Sequence, residues 1–313
     1  MLSLDSWRRG DRMTMPNFLI IGAPRSGTTT LYEGLLEHPE VYMPSLKEPW
    51  FFALEGEVGP FRGPGDDHNV RRGVRDLDSY RALFKGVSGE SAVGEASTLY
   101  LYSPVAPFRI KEKTPEAKLI AILRNPVDRA YSNYMQHVQQ GREMLSFTAA
   151  LEAEQERIRA HWSPFWFYRQ LGFYTEQLSR YLNIFDREQI KVFLYEDLER
   201  DLGAVLEEVF HFLDVDKNFT PTLSVRHNMG GIPKSRALHS FLSYSNPLKT
   251  ALKPFFPRAL RKRLRVYVRN RNLNEGPQVS PGLRRELIEE HREDIVKLEE
   301  LIQRDLSKWL EVQ

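Results

Sequence analysis

Cysteine is absent from the 313 residues, and with it go disulfides, zinc–thiolate centres, iron–sulfur clusters and thiol nucleophiles. Net charge is nearly absent too. The 44 Lys and Arg offset 42 Asp and Glu to leave +2, so no global field draws the chain onto a polyanion and any basic patch has to be local. Long apolar runs are also missing: the strongest, Phe18 to Ile21 and Leu119 to Leu123, are strand-sized and far short of the ~20 residues that span a bilayer. The opening MLSLDSWRRGDRMTM interleaves Asp5, Arg8, Arg9, Asp11 and Arg12 with its apolar positions. That leaves no apolar core for a secretory signal and sets a cytoplasmic address as the expectation. Residues 1–15 read as a flexible N-terminal segment ahead of one domain over 16–313.

Three apolar runs share one punctuation: NFLIIG (17–22), KLIAILRNP (118–126) and IKVFLYEDL (190–198), each passing into polar residues and a helical pattern. Continuous apolar strands of this kind are buried parallel strands covered by helices. SAVGEAST (91–98) is a fourth. Helical patterns fall between them over 29–38, 126–140, 147–159 and 168–185. The alternation predicts an α/β fold, a P-loop-like doubly wound parallel sheet flanked by helices. Ser280-Pro281 is an N-cap with proline at the first helical position, and Leu283, Leu287, Ile295, Leu298, Ile302 and Trp309 follow at helical spacing. They predict an amphipathic closing helix over 281–311 as a C-terminal extension. Gly, Pro and charge crowd 56–75, which reads as a long loop or lid, and NMGGIPKS (228–235) reads as a second ligand-approaching loop.

The sharpest signal is GAPRSGTTT, placed after an apolar strand and opening a helix. Glycines there let successive N–H groups turn toward an anion, and the helix N-terminus adds roughly half a positive charge at the same spot. Pro24, Arg25, Ser26, Gly27, Thr28 and Thr29 form this candidate phosphate loop. A nucleoside triphosphatase would carry Lys where Thr28 stands. Here the cation is Arg25, inside the loop, and no strand ends in an Asp clearly placed to hold magnesium. A second candidate anion site begins at Arg124, at the carboxyl end of a buried strand, where ligands of open α/β sheets collect. Pro126 then starts a helix that carries Arg129 and Ser132, so Arg124 and Ser132 can converge on one phosphate. An Arg124 paired with Asp128 is the plain structural alternative.

PRSGTT after FLIIGA resembles the 5′-phosphosulfate loop of sulfotransferases that use 3′-phosphoadenosine 5′-phosphosulfate, and LRNPVDRAYSNY (123–134) resembles their 3′-phosphate motif. KEPWFF (47–52) resembles the KExxFF element of the bacterial and heparan-sulfate-type branch. The similarity runs from about residue 16 to the end of the chain. It implies sulfuryl transfer to a hydroxyl, or less readily an amine, of a glycan, lipid-linked sugar or secondary metabolite, with adenosine 3′,5′-bisphosphate as product and no metal. A nucleotide-dependent phosphotransferase and a non-enzymatic nucleotide-binding adaptor are the competing readings.

The resemblance also implies roles for residues. Arg25 faces the leaving bridging oxygen; where many relatives have Lys, an Arg keeps its charge and donates hydrogen bonds without losing a proton. Glu48 is the candidate general base, with Pro49, Trp50, Phe51 and Phe52 expected to form an apolar wall around it; a solvated Lys47-Glu48 turn is the alternative. His137 is the second candidate base, against a plain helix-surface histidine. Lys47, Trp50, Phe52, Glu95, Thr98 and Tyr100 are expected to border the acceptor, a small molecule or glycan. RHNMGGIPKSR (226–236) resembles the loop that closes over the cofactor, with Lys234 and Arg236 as phosphate partners and Gly230 and Gly231 allowing closure. The segment 249–272 holds nine Lys and Arg and no acidic residue. It reads either as the solvated face of a core-packed helix or as a contact for an anionic membrane or acidic acceptor. No base-reading module accompanies it, so nucleic acid is not an expected partner.

Overall fold

The computed structural model describes residues 14–56, 61–66, 73–222, 231–233, 273–275 and 279–312. Five strands, β1 (Phe18–Gly22), β2 (Val41–Tyr42), β3 (Ala92–Ala96), β4 (Lys118–Leu123) and β5 (Ile190–Leu194), build a parallel sheet in the order β2-β3-β1-β4-β5. Leu19 stands level with Glu95 of β3 on one side and Leu119 of β4 on the other. β1 is therefore central. The chain leaves it for β2 and β3 and then crosses to β4 and β5, which makes the carboxyl end of β1 the switch point where ligands of doubly wound sheets bind.

Among the described residues the helices are α1 (Thr28–Glu37), α2 (Phe51–Leu54), α3 (Leu77–Ala82), α4 (Ala106–Lys113), α5 (Pro126–Gln139), α6 (Phe147–Glu152), α7 (Glu154–Arg159), α8 (Tyr174–Leu182), α9 (Tyr195–Arg200), α10 (Leu202–Phe212) and α11 (Pro281–Ile302). Alternate residues of β1 enter opposite cores. Phe18 and Ile20 pack with Leu31 and Leu35 of α1 and Val205, Leu206 and Val209 of α10. Leu19 and Ile21 pack with Tyr174, Leu178 and Tyr181 of α8 and Ile295, Leu298 and Ile302 of α11. Both faces are covered, as a parallel sheet requires. A short antiparallel ribbon, β6 (Gly231–Pro233) with β7 (Leu273–Glu275), stands apart from this sheet.

The expected α/β fold holds, with differences in the elements. The stretch 147–159 is two short helices meeting at Ala153, and the helix expected from 168 begins only at Tyr174, after a 3-10 turn over Gln170–Gly172. Tyr168, Leu171 and Gly172 are all buried there, so tertiary packing overrides helical periodicity. The closing helix stops at Ile302, where Gln303 turns left-handed (φ +54°), and Trp309 sits in a 3-10 turn. In α10, Leu202, Val205, Leu206, Val209 and Phe210 form one apolar face, a helical signal present in the sequence but unassigned above. Of the expected lid over 56–75, the described part is anchored. Asp66 is buried and accepts from Gly63 N, Ser163 N, Ser163 Oγ and Trp166 Nε1 at 2.7–3.1 Å.

Candidate active site

Between β1 and α1 the chain turns with Arg25 at φ +70° and Gly27 at φ +89°. Glycine suits the second position twice over: it adopts that conformation freely, and a Cβ there would lie 2.9 Å from Leu198 Cδ2. Arg25 does not favour the left-handed region, so contacts must hold it there. Its Nε donates to Ser132 Oγ at 3.1 Å, and its carbonyl accepts from Arg124 Nη1 at 3.1 Å. Ser132 reaches this point from α5, whose start is fixed by Pro126 and by the Asn125 side chain accepting from Val127 N and Asp128 N. Arg124 leaves the end of β4 and lies over the Tyr195 ring, 4.2 Å from its centroid. The two candidate phosphate motifs are thus one structure, joined through Arg25.

Electrostatically the corner is positive. Burial, then Arg124, then Arg129 lower the Arg25 guanidinium to about 10, which leaves it a cation at neutral pH. Arg129 is wholly buried, with only its Nη2 bonded, to the Tyr168 carbonyl. Among the described residues none of these three guanidiniums has a carboxylate partner. Asp128, the alternative partner for Arg124, instead accepts from Arg284 at 2.7 and 3.3 Å. Ser26 is fully buried with an unpartnered Oγ, and α1 starts without a side-chain cap. Free first-turn N–H groups, an orphan hydroxyl and unpaired cations are the donors an anion needs.

KEPWFF hangs from the end of β3, where Glu48 N donates to Ala96 O at 2.9 Å. The Glu48 carboxylate collects donors: Thr98 N at 2.8 Å, Thr98 Oγ1 at 3.0 Å, Trp50 Nε1 at 2.7 Å and Lys47 Nζ at 2.9 Å. Its side chain keeps 24% of its surface exposed. The expected apolar wall is corrected. Trp50 contributes an indole N–H, while Phe51 and Phe52 turn fully into the core, Phe51 stacked on Tyr80 at 4.2 Å. Glu48 and Trp50 are both left-handed, at φ +63° and +54°. With Arg25 they are three of the six described non-glycine residues at positive φ, and such strain concentrates at functional sites.

Beneath this turn lies a buried polar layer. Glu95 is fully buried and accepts from Tyr100 OH at 2.6 Å and Tyr80 OH at 3.2 Å, leaving Oε2 without a partner. Desolvation, with a smaller contribution from Glu48, pushes its carboxyl up to about 7. Ser97, absent from the expected site, accepts from Trp50 N at 3.0 Å and links this layer to the turn above. Glu95, Tyr100 and Phe52 therefore lie in the buried layer behind the turn, and Lys47, Trp50 and Thr98 stand around Glu48 itself.

His137 is corrected as a second base. It is buried, stacked on Trp166 at 4.1 Å, with Nδ1 3.0 Å from Tyr168 OH. Tyr168 donates to Glu143, so Nδ1 carries the proton toward Tyr168. Burial first, then Arg142, Arg157 and Arg25, hold the imidazole down to about 3, too weak a base for an alcohol. It is also not on the surface, because α5 packs that side against Trp166 and Tyr168. Lys234, Arg236 and the basic segment 249–272 lie outside the described residues.

Sequence could not have named Tyr195 as the platform under Arg124, nor Tyr174, whose hydroxyl donates to the Arg124 carbonyl at 2.9 Å. Both come from distant elements.

Comparison with known proteins places this geometry. Residues 16–221 match the model of the sulfotransferase family. The structure of a sulfotransferase from Alicyclobacillus acidocaldarius is 37% identical, superposes with a TM-score of 0.75, and covers 95% of this chain and 100% of its own. The mouse bifunctional heparan sulfate N-deacetylase/N-sulfotransferase 4 is 32% identical over 226 residues, 69% of this chain and 24% of that protein. Mouse carbohydrate sulfotransferase 15 is 28% identical over 254 residues, 64% of this chain and 44% of that protein. The match thus spans less than half the length of these curated relatives. A candidate phosphate loop at the central strand, an Arg25–Ser132 contact joining it to the neighbouring helix and a family match that takes in all five strands of the parallel sheet lead to one assignment: this chain belongs to the sulfotransferase family.

Proposed function

We propose that the chain transfers a sulfuryl group from 3′-phosphoadenosine 5′-phosphosulfate to a hydroxyl, less readily an amine, of a glycan or other small acceptor. The observation that carries this reading is the group of Arg25 in the loop after β1, Arg124 at the end of β4 and Arg129 in the first turns of α5, without a carboxylate among its described partners. It suits a ligand with phosphates at two positions. The curated relatives named for heparan sulfate and carbohydrate favour a sugar acceptor.

When bound, the donor supplies an activated sulfuryl group, and the protein's work is positioning and electrostatics. Arg25 offers a fixed cation where negative charge grows on the leaving phosphate. Arg124 and Ser132 hold the second phosphate. Glu48, oriented by Thr98, Trp50 and Lys47, takes the acceptor proton. A cytoplasmic setting, and contact of 249–272 with an anionic membrane or acidic acceptor, are proposals that rest on sequence alone.

Incubation with the sulfate donor and a panel of glycans and hydroxylated metabolites, read by mass spectrometry, tests the reading. A protein-dependent gain of sulfate supports it. Nucleotide binding with no sulfated product across the panel favours an adaptor, and magnesium-dependent transfer from ATP favours a phosphotransferase.

A further inference from the structure

Arg129 presents an energetic problem that sulfuryl transfer as outlined does not resolve. It sits in the first turns of α5 with no exposed surface. Its Nη2 donates to the Tyr168 carbonyl, while Nε and Nη1 have no partner. A guanidinium buried with two groups of donors unmet is costly, and an aliphatic residue would fill the same core position without that cost. Among the described residues no ion pair relieves it. Glu154 is a carboxylate whose charge favours the guanidinium, but that side chain spends both oxygens on the backbone, accepting from Arg169 N at 2.7 Å and Gln170 N at 2.9 Å.

Its position suggests what the charge is for. Arg129 and Ser132 are three residues apart on α5, hence on one face, and Ser132 Oγ is the group that Arg25 grips. Arg124 and Arg25 feel the Arg129 charge as repulsion. The charged and titratable groups that act on it electrostatically are Tyr168 and Tyr174 from the segments following α7, Glu154 from α7, Arg124 from the end of β4 and Arg25 from the loop after β1.

We propose that Arg129 is a positioning residue of the anion site: its buried charge, fixed by the Tyr168 carbonyl, holds the phosphates of a bound nucleotide from beneath without touching them, and a bound anion relieves the repulsion among the three guanidiniums. A charge in a water-excluded setting acts over longer distances than one on the surface, which makes indirect action effective. This inference rests on the nucleotide reading above.

Calorimetric titration of adenosine 3′,5′-bisphosphate, with melting temperatures of the free proteins, separates charge from packing. Arg129→Gln removes the charge and keeps a polar side chain; Arg129→Lys keeps the charge. The expected result is about tenfold or weaker binding by the Gln variant with an unreduced melting temperature, and binding within a few-fold of the parent for the Lys variant. Glu154→Gln removes the offsetting negative charge and should tighten binding a few-fold. Unchanged affinity in Arg129→Gln overturns the proposal, as does an equal loss in the Gln and Lys variants. Should Arg129→Gln not fold, Glu154→Gln decides, and unchanged or weaker binding there overturns it. A parent that fails to bind the bisphosphate takes down the nucleotide reading as well. Weakened binding by Arg124→Ala beside unaffected binding by Arg129→Gln removes this inference alone.

Discussion

Arg25 Nε donates to Ser132 Oγ at 3.1 Å across 107 residues of sequence. This contact ties the loop after the central strand to the helix after its neighbour, bringing the two candidate anion-binding motifs together.

The second phosphate subsite should control nucleotide choice. Adenosine 3′,5′-bisphosphate is expected to bind much more tightly than adenosine 5′-monophosphate, and Arg124→Ala to weaken the bisphosphate roughly tenfold or more, since a charge-assisted hydrogen bond is worth about 1.5–3 kcal/mol. Calorimetry on the two nucleotides checks this; equal affinities would sink the subsite.

Arg25 combines the charge proposed to act on the leaving phosphate with a strained backbone at φ +70°. Arg25→Gly removes both. Relief of the left-handed strain should raise stability by about 1 kcal/mol, while turnover falls by more than product-nucleotide affinity. Denaturant titration beside single-turnover kinetics makes the test. A glycine variant that turns over normally would take Arg25 out of the mechanism.

Glu48 should be separable from nucleotide binding. Glu48→Gln is expected to retain bisphosphate affinity and lose about 10² to 10⁴-fold in turnover on an alcohol acceptor. Trp50→Phe, which deletes the 2.7 Å indole bond to the carboxylate, should lose a smaller factor, because Thr98 and Lys47 still orient the group. His137→Ala, by contrast, is expected to lower the melting temperature through the emptied space against Trp166 and leave the shape of the pH–rate profile intact. Near-parental turnover of Glu48→Gln with chemistry rate-limiting would refute the base.

Glu95 gives a pH signature of its own. Its folded value of about 7 stands above the ordinary 4.5, so between these values the folded state binds the extra proton. Its contribution is therefore complete below about 4.5, declines as pH rises, and is gone above about 7. The parent should lose stability between pH 5 and pH 8, by a few kcal/mol at most. Glu95→Gln, which cannot ionise, should show a flatter curve and be the more stable of the two at pH 8. Parallel melting curves over this range would show that Glu95 stays unshifted.

The sequence by itself determined the sheet and which residues gather at its corner. Apolar runs without polar interruption demanded strands buried on both faces, and the glycine-bearing turn with Pro24, Arg25 and Ser26 required a strand before it and a helix after it. Those are local signals, complete within ten residues or so. Tertiary structure decided what local signals do not carry. It made His137 a buried neutral side chain, because α5 packs it on Trp166 and Tyr168. It turned Phe52 into core and Trp50 into a donor, because a left-handed turn at Glu48 redirects successive side chains. It also gave Arg129 its weight. Arginine on a helix reads as surface, and only burial in the fold, with the Tyr168 carbonyl from a segment well downstream as its partner, removes its water and leaves a bare charge behind the candidate site.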